Sequence, residues 1–509
     1  MTHTASLSWF ARHELNLAWR DWVALMSGGR KLKDSAIAIG MLIFALALHG
    51  MAYAVVAPFL SPGAPVTTTR LVMVFSAILL TFTMMLSQAM ESVTRAFYAR
   101  DDLDLILSSP ASSRDLFAVR ISIMALTTAM MSGLIVTPFI NAAVLLDGAH
   151  WLAAYGMVFA VSLLATGCAV LIALGLFKSI GAKRTRLVAQ IAAAIVGAVF
   201  LIGIQVVAIV SYGTMSRWSV MNSQFVIENA PGAESIVWLP AFAASGNLTS
   251  LLLILAVSAA FFAYAASRGA SQFRFVVLAA LGVADDAVRQ ASRRPAFQRR
   301  STHYAVMRKE LQLLGRDPWL ISQTLMQVLY LIPPALMLWV SYGDQTELST
   351  LIAPVIVMAV GQLAGGLAWL AISGEDAPDL VATAPVRQHM LTLAKIATVL
   401  AIVVGVAAPL VLAMALLSVW SAFVTFIGTI VAALCAIFIQ LCFRAQAKRA
   451  NFRRRQIASR TSTVCEALAS ILCAGTIALW AAGSLLALIP GCLTAGVLAV
   501  AWFARPRKG

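Results

Sequence analysis

The sequence predicts an all-α integral membrane protein, with about twelve transmembrane helices arranged as two parallel six-helix repeats. Three observations predict it: an apolar composition, apolar runs of helix length along the whole chain, and basic residues confined to alternate connections. Of 509 residues, 61% are apolar and only 11% charged, and mean hydropathy is +0.88. Soluble domains carry about 25% charged residues, so water could not solvate this chain, whereas a bilayer could. A helix needs ~20 mostly apolar residues to cross the hydrocarbon. Such runs occur at 35–60, 71–93, 121–146, 151–177, 188–211 and 248–267, and again at 321–341, 350–374, 396–418, 421–443, 464–483 and 485–504. They show little period-two alternation, which argues against a β-barrel.

Charge supports the same division. The chain carries a net +16, which by itself would suggest nucleic acid, but the distribution argues for topology instead. With these spans and a cytoplasmic amino terminus, 35 of the 37 Lys and Arg residues fall on the inner side. That is the positive-inside pattern, and one missed span would scramble it. The expected location is therefore a bacterial inner (plasma) membrane with both termini cytoplasmic. Membrane lipids are the expected partners of the basic clusters, whose charge suits anionic headgroups, and no nucleic acid is expected. Ahead of the first apolar run stand Arg12, His13, Glu14, Arg20 and Asp21, unlike a cleavable signal. The six cysteines (Cys168, Cys435, Cys442, Cys465, Cys473 and Cys492) lie in or beside spans without metal-ligand spacing, and read as packing residues.

The chain repeats itself. Residues 12–21, RHELNLAWRD, match 308–317, RKELQLLGRD, at six of ten positions. Residues 100–121 match 375–396 at a constant offset: Asp101, Asp104, Leu105, Pro110 and Ile121 answer to Asp376, Asp379, Leu380, Pro385 and Ile396, and Arg120 faces Lys395. Ala182-Lys183-Arg184 returns as Ala447-Lys448-Arg449. Each pair sits at the same place in its half, so the halves form a parallel repeat about an axis along the membrane normal. The domains read as 1–267, 268–302 and 303–509: a first half, a basic cytoplasmic linker with an interfacial segment around Phe273–Leu281, and a second half.

The first repeated element has the spacing of an interfacial helix, with Leu15, Ala18, Trp19, Trp22 and Leu25 at three- and four-residue steps and tryptophans suited to headgroup level. Glu14, Arg20 and Asp21, with Glu310, Arg316 and Asp317, are its charged candidates. A plain anchor and a transmitter of motion are both open readings. The second element is a short acidic helix beneath the membrane. Asp101 and Asp102 favour its amino terminus, Leu103, Leu105 and Leu107 follow, and Pro110 ends it. A solvated connecting loop is the plainer alternative, but it would not need Asp-Leu and Pro at one offset in both halves.

The run DDLDLILSSP with its basic return into the third span resembles the coupling segment of ATP-binding-cassette exporter permeases, and RKELQLLGRDPW resembles the amphipathic helix before their first span. The resemblance implies that residues 100–115 and 375–390 dock on separate ATPase subunits, two per chain, with Asp101, Asp104, Leu105, Pro110, Asp376, Asp379, Leu380 and Pro385 in contact. It implies a transport subunit rather than an enzyme, with no cofactor on this chain and ATP held by its partners. In keeping with that, no G-x-x-x-x-G-K-[ST] phosphate loop occurs in the sequence, and Met26-Ser27-Gly28-Gly29-Arg30 reads as a turn. The family often has an external segment between its fifth and sixth spans. Residues 212–247 fit it, with Trp238-Leu239-Pro240 dipping towards the membrane, and the second half has almost nothing there.

Two alternatives stand beside this reading. A proton- or sodium-coupled carrier usually keeps ionisable groups at mid-membrane. Here Glu91, Asp147 and Glu466 lie near span ends, and Asn141, Gln205, Gln327 and Gln362 read as interhelical glue. A membrane-embedded enzyme needs a nucleophile, base and orienting group at one depth, and no such set is evident. Pro138, Pro333, Pro334, Pro409 and Pro490 read as kinks. An apolar or amphipathic cargo fits the interior, but the sequence does not identify it.

Overall fold

Long apolar sequences without regular alternation satisfy their backbone groups internally only as helices when water is absent. The computed structural model describes residues 10–17, 19–20, 34–60, 66–98, 113–212, 224–290, 301–315, 346–373, 385–443 and 460–503, with a few isolated positions besides, and no β-strand occurs among them. Nine helices among these residues are long and apolar enough to cross a membrane. Two shorter apolar stretches, Ala45–Val56 and Leu187–Val199, fall on the first and fifth expected spans. Most of the expected span at 321–341 lies outside the described residues. The described residues are therefore helical and apolar in the manner of an all-α membrane protein.

Contacts divide the chain into two compact units, built mainly from residues 30–204 with 217–294 and from 295–509. The first unit comprises α1 (Asp34–Val56), α2 (Thr68–Tyr98), α3 (Ser113–Asp147), α4 (Ala153–Tyr212, as far as Ile204), α5 (Gln224–Glu228), α6 (Leu239–Ala244) and α7 (Leu248–Gln290). Its core joins Met85, Ala89 and Val93 of α2 to Phe117 and Ile121 of α3 and to Ala165, Ala169 and Val170 of α4. At Gly167 a Cβ would stand 3.0 Å from the Phe261 ring of α7, and at Gly269 it would run into Phe117. Small residues thus bring these helices into close contact, as expected where lipid supplies no hydrophobic drive between them.

The fourth and fifth spans are two helices that meet at a kink at Gly181, whose φ of 75° few other residues adopt. One feature differs from expectation: α7 runs on through Gln290, so most of the expected linker continues the sixth span as helix. Alanine, leucine and glutamine favour this extension, and no proline interrupts it before Pro295.

The second unit comprises α8 (Thr302–Gly315), α9 (Thr346–Ser373), α10 (Gln388–Ala415), α11 (Val419–Phe443), α12 (Arg460–Ala481) and α13 (Leu488–Phe503). The core runs along α9, where Ile352, Ile356, Val360, Ala364 and Leu367 are all nearly inaccessible. Gly428 of α11 lets Ile477 of α12 and Val357 of α9 meet over its bare Cα, and at Gly361 a Cβ would lie 2.7 Å from Ser470 Oγ. Between α12 and α13 stand only a turn at Gly483 and one 3-10 turn, Leu485–Ala487. The counterpart in the first unit is a folded cap of α5, a 3-10 turn at Ile236–Trp238 and α6. Trp238 is 4% exposed there, packed with Leu71, Val72 and Ala241 and edge-on to Phe75. Trp238 thus covers the first turns of α2.

Candidate functional site

The interfacial element of the first half is helical over residues 10–17 and 19–20. Helical spacing puts successive residues on different faces, and burial divides accordingly. Leu15 and Trp19 are exposed, while Glu14 is only 8% exposed. A carboxylate so enclosed needs a partner. It finds one 106 residues away: Arg120, at the start of the third span, donates from Nη2 to Glu14 Oε1 at 3.4 Å.

The second half repeats this arrangement. In α8, Glu310 is 1% exposed and Leu311 is exposed, as Leu15 is. Arg308 is exposed like Arg12, Gln312 like Asn16, and Leu313 is half-buried like Leu17. The helix packs against α10 and α9. Lys395 Nζ, the counterpart of Arg120, lies 3.9 Å from Glu310 Oε1. Lys395 also donates to the Ala371 carbonyl, in the last turn of α9, where a cation suits the helix terminus. Lys309 Nζ adds a bond of 3.2 Å to the same carboxylate. Leu116 and Leu391, a further match at this offset, are both buried just before the two cations. In each unit, then, a buried glutamate of the interfacial helix is tied to a cation at the start of the third span, and in the second unit the end of α9 is joined as well.

Among the expected coupling residues, Pro385 is placed: it stands exposed in a bend, followed by Arg387, whose extended backbone (ψ 130°) opens α10. Lys395 follows ten residues later, so the described end of that segment leads directly into the latch. Asp101, Asp104, Leu105, Pro110, Asp376, Asp379 and Leu380 lie outside the described residues, as do Asp21, Arg316 and Asp317. Arg20 is helical and exposed. Sequence comparison aligned Arg120 with Lys395 but did not identify either as the partner of a glutamate. The available signal was the joint recurrence of an acid in the first element and a base in the second.

The opposite ends of the first-unit spans carry another charged set. Arg70, in the first turn of α2, donates to Asp147, the last residue of α3, and its guanidinium lies 5.3 Å from the Trp151 ring centre. Trp151 Nε1 donates to the same carboxylate oxygen at 2.9 Å, and His150 Nε2 is 3.4 Å from it. Gly246, with φ 103°, passes so close that a Cβ would stand 2.7 Å from His150 Cβ. In the second unit Gln440 of α11 donates to Ser462 Oγ at 3.3 Å and to Glu466. Among the described residues, no group of three His, Cys, Asp or Glu side chains could hold a metal ion.

No protein family, no curated protein and no solved structure matches this chain.

Proposed function

We propose that the chain is the membrane-spanning permease subunit of an ATP-binding-cassette exporter. Two parallel six-helix halves span a bacterial inner membrane with both termini in the cytoplasm. Two separate ATPase subunits dock at residues 100–115 and 375–390 and bind the ATP, and an unidentified apolar or amphipathic substrate leaves the cytoplasm. The observation that carries this reading is the duplicated latch, Glu14–Arg120 and Glu310–Lys395, at corresponding places in the two halves.

Each docking segment runs into the helix that bears the cation. A helix moves as a rigid rod, so a pull on the segment displaces the start of the third span. The buried ion pair then draws the interfacial helix after it, because parting two buried opposite charges is costly. In the second half the bond from Lys395 to the Ala371 carbonyl brings in the end of α9 too. An anchor alone would need none of these contacts.

The alternative is an ion-gradient-coupled carrier. Glu466, in the first part of α12 and bonded to Gln440 and Ser462, is the observation in its favour. One experiment separates the two. The full chain is purified in mild detergent from its native membrane and assayed for ATP hydrolysis, as wild type and as Asp104→Arg with Asp379→Arg. Wild-type chain bringing down an ATPase, and a monodisperse variant that has lost it, supports the proposal. ATPase-free wild-type chain that transports in proteoliposomes on a proton or sodium gradient overturns it.

A further inference from the structure

Three polar side chains meet on the apolar helices of the first unit. His49 of α1 places Nδ1 2.7 Å from the Ala45 carbonyl, so that nitrogen carries a proton, and Nε2 accepts from Asn141 Nδ2 at 3.0 Å. Asn141 Oδ1 in turn accepts from the Tyr155 hydroxyl at 2.7 Å. The ring, the amide and the hydroxyl thus form one continuous chain of hydrogen bonds. The network lies six residues inside the end of α3, about 9 Å at 1.5 Å per residue.

Interhelical glue normally faces inward, and this network does not. Tyr155 is 37% exposed, and Tyr53, one turn further along the His49 face of α1, is 48% exposed. Its bonding capacity is also only partly used: one Asn141 N–H, a second lone pair on Asn141 Oδ1 and lone pairs on the Tyr155 oxygen remain. Such groups left unbonded in hydrocarbon are costly. Towards mid-membrane the same faces turn apolar, with Leu46 63% exposed on α1 and Phe159 43% exposed on α4. Polarity therefore rises from mid-membrane outward, in the sense of an amphiphile lying along the helices. The charged pair at this end, Arg70 and Asp147, is mutually neutralised, so the surroundings do not select an ionic head.

We propose that His49, Asn141 and Tyr155 form a binding site for the uncharged, hydroxyl-bearing head of a membrane amphiphile whose chains lie along α1 and α4. The spare amide N–H meets a hydroxyl oxygen of the head, and the spare lone pairs take its hydroxyl protons. In the orientation proposed above the site lies in the outer leaflet. It rests on that reading for the leaflet alone.

The test uses the full chain in detergent, incubated with glucosyl-dioleoylglycerol and separately with dioleoylphosphatidylglycerol, and native mass spectrometry to count retained lipid. Wild type should retain the glucosyl lipid. Tyr155→Phe, which removes one oxygen atom, should lower retention about fivefold, the size of one hydrogen bond. Asn141→Leu should lower it further, and retention of the phosphatidylglycerol should not differ among the three. Equal retention of the glucosyl lipid by wild type and Tyr155→Phe overturns the proposal. So does a phosphatidylglycerol adduct of wild type that Tyr155→Phe loses, which would mark an ionic head. Should Asn141→Leu not fold, Tyr155→Phe decides alone. No ATPase takes part, so this outcome and that of the co-purification experiment are independent.

Discussion

Replacing Arg120 with methionine removes a cation facing Glu14, a side chain 11% exposed. At the observed 3.4 Å the gross attraction is about 5 kcal/mol for an effective dielectric near 20. Desolvation of both groups offsets much of this, but it is not recovered when one partner alone is removed, and breaking such a pair costs about 3–5 kcal/mol. Pairing Arg120→Met with Glu14→Gln in a double-mutant cycle should yield a coupling of about 2 kcal/mol. The second latch is longer, at 3.9 Å, and Glu310 keeps Lys309 at 3.2 Å when Lys395 is lost. Its cycle, Lys395→Met with Glu310→Gln, should therefore give about 1 kcal/mol. The assay is SDS titration in detergent micelles, with folded fraction followed by tryptophan fluorescence. A first-half coupling under about 0.5 kcal/mol, or a second-half coupling that exceeds the first, refutes this account of the latches.

Gly428→Ala should destabilise the second unit by about 1–3 kcal/mol through overpacking, because its Cβ meets Ile477 and Val357; adding Ile477→Ala should recover part of the loss in the same titration. Arg70→Met leaves Asp147, whose side chain is 5% exposed, without its guanidinium. The loss should be about 3 kcal/mol, and Arg70→Met with Asp147→Leu should be more stable than Arg70→Met alone. In a cysteine-free background, a membrane-impermeant maleimide applied to intact cells should label Gly232→Cys and spare Asp104→Cys; the reverse pattern would invert the proposed orientation.

Much of the fold was legible because bilayer-spanning sequence is simple. Apolar length and basic alternation located α2, α9 and α11 within about five residues of where they stand, whereas α3 and α10 begin eight residues before the expected spans. What sequence missed depends on single residues or on distant ones. The kink at Gly181, which parts the fourth span from the fifth, is visible only as a backbone angle. The extension of α7 through Gln290 follows from weak propensities in a segment that its arginines marked as linker. At the candidate site, Glu14 and Glu310 were legible as repeated residues. Their roles were not, because an acid on an amphipathic helix ordinarily faces solvent. The chain's return at Arg120 and Lys395 brings each buried glutamate a cation. Asn141 read as glue, whereas its bonds to His49 and Tyr155 became visible only once α1, α3 and α4 were packed.

Dependence on a separate ATPase is tested most directly by native mass spectrometry of the chain extracted from its own membrane with nucleotide present. The account predicts an assembly of one 54.1-kDa chain with two ATP-binding subunits, dispersing when Asp104 and Asp379 are both replaced by arginine. Active wild-type chain found alone, or only with copies of itself, would contradict it.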